Sequence, residues 1–257
     1  MHEQLTYVIN GGLFAVQNQM GSIWPEEAYE AALELEFRKR KLRVERQKEF
    51  DVPYFDKRVG TYRIDLLVND LVIIELKVVP ALQPIHRAQL LSYLKGYRKP
   101  LGILANFGGA SVEHETMPNA RLTGPPLTDR FDYDALTLPG KARIKDLLFM
   151  ANRVLVTLGP GYLPQIYRRA MFYELQTARA EFETIKKMTA QYDNQPVGEQ
   201  DVNFFRVGDV LISIDTVRCL DDDLLLLKFR QYIAHLHCQH GVIFNFRSTV
   251  LDFRYLE

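Results

Sequence analysis

The stretch from Tyr62 to Lys77 constrains the fold more than any other. It reads as two β-rich runs either side of Asn69-Asp70, a pair that tolerates the positive φ of a tight hairpin turn. In the second run Val72, Ile74, Leu76 and Val78 face one way, and Ile73, Glu75, Lys77 and Val79 the other, because strand side chains alternate. A run this apolar is buried on both faces. Glu75 and Lys77 therefore lie where charge is normally excluded, and Asp65 on the neighbouring run is a third charge. Burial of such groups is costly unless they pair or bind something ionic. An internal ion pair within a core would be one solution.

Asp65 followed some ten residues later by Glu75-x-Lys77 on paired strands resembles the signature of the PD-(D/E)xK nuclease superfamily. Two carboxylates suit a hard divalent cation, which takes oxygen ligands. Such a cation acidifies a bound water and offsets charge on a phosphate in the transition state. A lysine belongs beside that water and the scissile phosphate.

The flanking chain supplies the frame. Residues 1–20 carry Leu5, Val8, Ile9, Leu13 and Val16 at helical spacing, weakened at Gly11-Gly12 and broken at Gly21-Ser22. Pro25, Glu26 and Glu27 suit the first turn of a second helix reaching about Arg40. The basic run Arg38 to Arg43 reads as a solvated helix end or as a phosphate-contacting patch. Val44–Tyr54 alternates as a strand, Leu82–Tyr97 carries an apolar helical stripe, and Leu101–Phe107 is a short strand. The resulting fold class is α/β, a mixed sheet flanked by helices.

Further motifs sharpen the resemblance. Gln89 and Tyr93 share one helix face at i, i+4, similar to the third motif of the exonuclease-like branch of the superfamily. Glu26-Glu27-Ala28-Tyr29 and Glu34 to Arg40 are similar to the family called GxxExxY proteins, as are Ile74 to Lys77, Ala88 to Leu94 and Leu101 to Gly108. Ile23 departs from the pattern, standing where that family has its first glycine. The resemblance covers about residues 5–110. It implies a restriction-endonuclease-like fold, with Asp65 and Glu75 as ligands of Mg²⁺ or Mn²⁺ and Lys77 as the catalytic lysine. It further implies Glu26 as an accessory acid reaching the metal, and Gln89 and Tyr93 shaping the site or touching nucleic acid. Tyr29 and Tyr93 also suit plain packing of helix on sheet, and Glu26 a dipole-favoured helix start.

Past the turn-rich residues 113–140 the first half returns. The run Leu158 to Tyr167 resembles the family's helix start more closely than the first copy does. An offset of 138 pairs Tyr167 with Tyr29, Gly159 with Gly21 and Glu174 with Glu36. One residue more pairs Tyr232 with Tyr93 and Asn245-Phe246 with Asn106-Phe107. This is an internal duplication. Under it Glu26 maps to Pro164, Asp65 to Asn203, Glu75 to Ser213, Lys77 to Asp215 and Gln89 to Lys228. The expected organisation is a nuclease-like domain over 1–112, a linker over 113–140 and a repeat without the catalytic residues over 141–257. Two such repeats can pack as a pseudo-dimer within a monomer. His235, His237, Cys238 and His240 could form a soft metal site, or be ordinary histidines at a helix end.

Composition bounds the rest. Formal net charge is +0, so nucleic-acid contact must come from local patches rather than a basic excess. No apolar run is long enough for a membrane span, and the N-terminus lacks the layout of a signal peptide. Two cysteines, Cys219 and Cys238, suggest no disulfide framework, and a reducing cytoplasm is expected. The leading expectation is hydrolysis of nucleic-acid phosphodiesters, DNA ahead of RNA, by a single site in the first half. The alternative is a non-catalytic module on the same duplicated fold that binds nucleic acid or a protein partner.

Overall fold

One order of elements occurs twice in the computed structural model, which describes residues 2–119, 127–129, 131–136 and 141–257. The first set is α1 (His2–Met20), α2 (Glu26–Lys39), β1 (Val44–Tyr54), β2 (Lys57–Val68), β3 (Val72–Lys77), α3 (Pro84–Gly96), β4 (Leu101–Asn106) and β5 (Glu113–Pro118). The second is α4 (Lys141–Leu158), α5 (Pro164–Thr177), β6 (Glu183–Tyr192), β7 (Gln195–Val207), β8 (Val210–Asp215), α6 (Asp223–His235), β9 (His240–Asn245) and β10 (Asp252–Leu256). The chain divides into two compact units, Met1–Pro125 and Pro126–Glu257.

Each unit holds a five-stranded mixed sheet, in the orders β1-β2-β3-β4-β5 and β10-β9-β8-β7-β6. Only the central pairs, β3 with β4 and β8 with β9, are parallel, because a helical crossover joins them. Central β3 is buried on both faces from Val72 to Leu76. Asn69 and Asp70 take φ of 53° and 60°, as the hairpin turn requires. β5 lies within the stretch expected to be linker. It is a polar edge strand antiparallel to β4, so the first unit runs past residue 112. The remainder of that stretch falls largely outside the described residues. No helix among the described residues is long and apolar enough to cross a membrane.

α1 and α2 pack on one face of the first sheet, around Ile9, Leu13, Tyr29, Leu33 and Phe37. Gly12 is what permits this contact, since a Cβ there would overlap the Phe37 ring. Tyr29 is fully buried, stacks on Phe107 at 4.5 Å and donates from its hydroxyl to the Gly21 carbonyl at 2.7 Å. Tyr167 repeats this arrangement, stacking on Phe246 at 4.5 Å and donating to Gly159 at 2.7 Å. Gly21 and Gly159, with φ of 70° and 65°, end the preceding helices in the left-handed conformation.

Asn106 locks the exit of β3. Its Oδ1 accepts from Val79 N at 3.0 Å and Gly108 N at 3.1 Å, and its Nδ2 donates to Val79 O at 2.9 Å. In the second unit Asn245 Nδ2 donates to Val217 O at 3.0 Å. Asn106 is 2% exposed, so Asn106→Ala strands buried backbone groups. Urea denaturation should show a loss of about 2–3 kcal/mol. A loss under about 0.5 kcal/mol would show that the lock is dispensable.

Candidate active site

Strand register builds the site. Leu66 pairs with Ile74 across β2 and β3, which sets Asp65 opposite Glu75. Asp65 Oδ2 accepts the Leu76 N–H at 2.7 Å and is held there. Alternation puts Lys77 on the same face as Glu75, and its Nζ donates to Glu75 Oε1 at 2.7 Å and to the Leu76 carbonyl. Glu26, in the first turn of α2, brings Oε1 to 3.6 Å from the same Nζ. Asp65, Glu75, Lys77 and Glu26 therefore meet at one place.

The cluster is rich in acid. Burial pushes the Glu75 carboxyl up, Asp65 adds to the rise, and Lys77 only partly opposes it. Burial likewise raises Asp65, against the Leu76 hydrogen bond and Lys77, and raises Glu26 against Lys77. Burial alone would lower Lys77, but Glu75, Glu26 and Asp65 outweigh it and hold the ammonium above its ordinary value. One lysine thus faces three carboxylates that all resist ionisation. Glu75 is 1% exposed, and its Oε2 is a buried oxygen without a hydrogen-bond partner.

Gln89 and Tyr93 stand behind this cluster on α3. Gln89 Nε2 donates to the Tyr93 hydroxyl at 2.7 Å. Tyr93 is buried against Tyr62 at 4.9 Å. Burial and then the nearby Glu75 raise its phenol. Tyr93 therefore forms part of an aromatic wall rather than an exposed surface. The basic run after α2 is internally paired, with Arg38 to Glu34 at 2.6 Å and Arg40 to Glu36 at 2.8 Å. That favours the solvated helix end over a phosphate patch. Among the described residues the histidine-rich segment of the second unit does not gather three or more His, Cys, Asp or Glu side chains into a group that could hold a metal ion.

Glu30 is a site residue that sequence reasoning passed over. It is 4% exposed, one helical turn after Glu26, and its charge bears on both Glu26 and Asp65. Gln47 Nε2 holds it at 3.1 Å and Arg46 Nη2 at 3.4 Å. The i, i+4 spacing of Glu26 and Glu30 was the available signal. His86 is a second, lowered by its burial and then by the Lys77 charge.

The second unit corrects one sequence equivalence. In β6 and β7 Lys187 pairs with Asp201, but Ile185 pairs with Phe204, so an extra residue is accommodated at 202–203. Phe204 then lies opposite Ser213, as Asp65 lies opposite Glu75. The structural counterpart of Asp65 is Phe204, while Asn203 turns to solvent. A bulge of one residue flips every following side chain to the other face. Phe204 packs on Tyr232 at 5.1 Å. Nearby, Met188 and Gln200 replace Phe50 and Tyr62, and a pocket of about 320 Å³ opens beside Tyr232.

The donors present suit a hard cation. Mg²⁺ is commonly held by one or two carboxylates together with waters and substrate phosphates. Asp65 and the orphan Oε2 of Glu75 supply such a pair. No group of three or more His, Cys, Asp and Glu able to hold a metal ion occurs among the described residues. Glu26 adds the third carboxylate of the cluster, with its Oε1 3.6 Å from the Lys77 ammonium.

A mixed sheet flanked by helices, occurring twice, is a restriction-endonuclease-like fold. The chain belongs to the PD-(D/E)XK nuclease superfamily, whose family model matches residues 3–117 and again 142–254. No curated protein matches it. A solved structure described as "Crystal structure of SSO0001" is 19% identical, with a TM-score of 0.29, over 35% of this chain and 46% of that one. This chain therefore spans about half the length of that structure.

Proposed function

We propose that this protein is a divalent-metal-dependent nuclease whose single hydrolytic site lies in the first unit, with DNA the favoured substrate over RNA. The observation that carries this reading is the buried, partnerless Glu75 oxygen in a cluster of three carboxylates and one lysine. Such a cluster lacks positive charge, and Mg²⁺ or Mn²⁺ on Asp65 and Glu75 would correct that. A cation bound there supplies Lewis acidity toward a phosphoryl oxygen and a more acidic bound water. Leu76 N–H fixes the Asp65 carboxylate. Lys77, steered by Glu75 and Glu26, presents an ammonium that offsets charge on the phosphate. Tyr93 and Gln89 brace the wall behind Glu75. Glu30, held by Arg46 and Gln47, adds negative field that favours cation uptake.

In the same reading the second unit is hydrolytically silent. Pro164, Phe204, Ser213 and Asp215 stand at the positions of Glu26, Asp65, Glu75 and Lys77, and they lack a carboxylate pair for a hard cation. The test is titration calorimetry of the full chain with Mn²⁺. One site per chain is expected, lost in Asp65→Asn and kept in Asp215→Asn, with Mn²⁺-supported DNA cleavage following the same pattern. Uptake unaffected by Asp65→Asn would overturn the assignment.

A further inference from the structure

The second unit reverses the charge at the site-equivalent positions. Arg168 on α5 takes the place of Glu30 on α2. Asp215 ends β8 as Lys77 ends β3, and Lys228 on α6 replaces Gln89 on α3. By the strand register, Thr184 and Ile185 replace Arg46 and Gln47, the two groups that hold Glu30. An acid excess becomes a small basic excess on the same backbone frame.

Arg168 is the unusual member. Its guanidinium is partly buried and feels the charge of Asp215. Yet it makes no hydrogen bond or ion pair with any described residue, and the Asp215 carboxylate instead accepts from Ser213 Oγ at 2.7 Å. A planar group with five donors, partly withdrawn from water and bonded to no described residue, keeps those donors open to a ligand. A tetrahedral oxyanion matches that donor fork, and Lys228, exposed on α6 at the position of Gln89, is a further cation of this unit.

We propose that the second unit binds a backbone phosphate of the nucleic acid through Arg168, assisted by Lys228. This rests on the nuclease reading for the identity of the ligand. The repeat without hydrolytic residues then serves as a substrate clamp, and the nearby charge of Asp215 weakens the hold of Arg168 on anions.

The experiment uses the full chain carrying Lys77→Ala, so that substrate survives. Fluorescence anisotropy with labelled single- and double-stranded oligonucleotides is measured across salt concentrations, with inorganic phosphate as competitor. Arg168→Gln should weaken binding roughly 10- to 100-fold, as for loss of one charged hydrogen-bonded contact. It should also lower the salt slope by about one. Arg168→Lys should restore part of the affinity, Lys228→Gln should weaken it several-fold, and Asp215→Asn should tighten it. A structural ion pair would not give that opposite sign.

Weakening by both Arg168→Gln and Asp215→Asn, with matching losses of melting temperature, would overturn the proposal in favour of a structural pair. Arg168-dependent binding of inorganic phosphate with oligonucleotide affinity unchanged would overturn it in favour of a free-anion site. Unchanged oligonucleotide binding in Arg168→Gln would sink the clamp and leave the nuclease reading intact. Absence of oligonucleotide binding in every variant, with no cleavage by the wild-type chain, would remove the nuclease reading itself.

Discussion

Glu75→Gln should abolish cleavage and stabilise the fold at once. On the proposed function, loss of this carboxylate from the proposed cation site is expected to cost about 10²–10⁴-fold in rate, the scale of losing an essential catalytic group. The same change removes a charge that the folded state resists, because burial and Asp65 push the Glu75 carboxyl up. The direction with pH follows from linkage. Below the ordinary carboxylate value of 4.5 the group is protonated folded or unfolded, and the substitution gains nothing from it. As pH rises toward and beyond the raised native value, the wild type must ionise a buried group, or hold its proton against the pull of solvent. The metal-free variant should therefore gain stability on the alkaline side, by about 1–2 kcal/mol at mildly alkaline pH. That gain is net of the Lys77 contact it loses. Thermal melts with chelator at acid and alkaline pH check this. A variant less stable than wild type at both would mean that the Glu75–Lys77 bond dominates and that the cluster has no deficit of cation.

Tyr29→Ala should be the most damaging single truncation in the first unit, at about 3–5 kcal/mol. The ring is wholly buried, stacks on Phe107 and hydrogen-bonds the end of α1. Tyr29→Phe keeps the packing and strands the Gly21 carbonyl, for about 1–2 kcal/mol. Because Tyr29 sits one turn after Glu26, its loss should also lower cleavage by loosening α2 over the site. Tyr167→Ala, in the equivalent bond and stack of the second unit, should cost a similar stability without that direct effect. Chemical denaturation of the three variants checks the series. Equal stabilities for Tyr29→Ala and Tyr29→Phe would show that the ring contributes little.

The hairpin and its charges were legible because they violate the local pattern. Two β-rich runs with an Asn-Asp turn specify paired strands, and alternation then places Glu75 and Lys77 on one face without knowledge of the rest. Glu30 was not legible in the same way. On a helix rich in Glu and Arg it reads as one more solvated acid, and only the packing of α2 over the sheet buries it. β5 was missed because Glu113–Pro118 is a polar edge strand, stabilised by pairing with β4 rather than by its own apolar pattern. The equivalence of Asp65 with Asn203 failed for a subtler reason. β7 gains a residue at its bulge, and the following turn loses one, with Gly208-Asp209 in place of Asn69-Asp70-Leu71. The sequence offset is the same on both sides, so the displaced segment leaves almost no trace in the sequence. A sheet register resolves it, because one residue moves a side chain from one face to the other.

Hydrolysis at the first unit alone is tested by cleavage of a panel of single- and double-stranded DNA and RNA with Mg²⁺ or Mn²⁺. Wild type is compared with Lys77→Ala and Asp215→Ala. Metal-dependent cleavage of DNA that disappears in Lys77→Ala and persists in Asp215→Ala is the predicted result. Cleavage that survives Lys77→Ala, or no cleavage of any substrate by the wild-type chain together with no uptake of Mn²⁺, would contradict it.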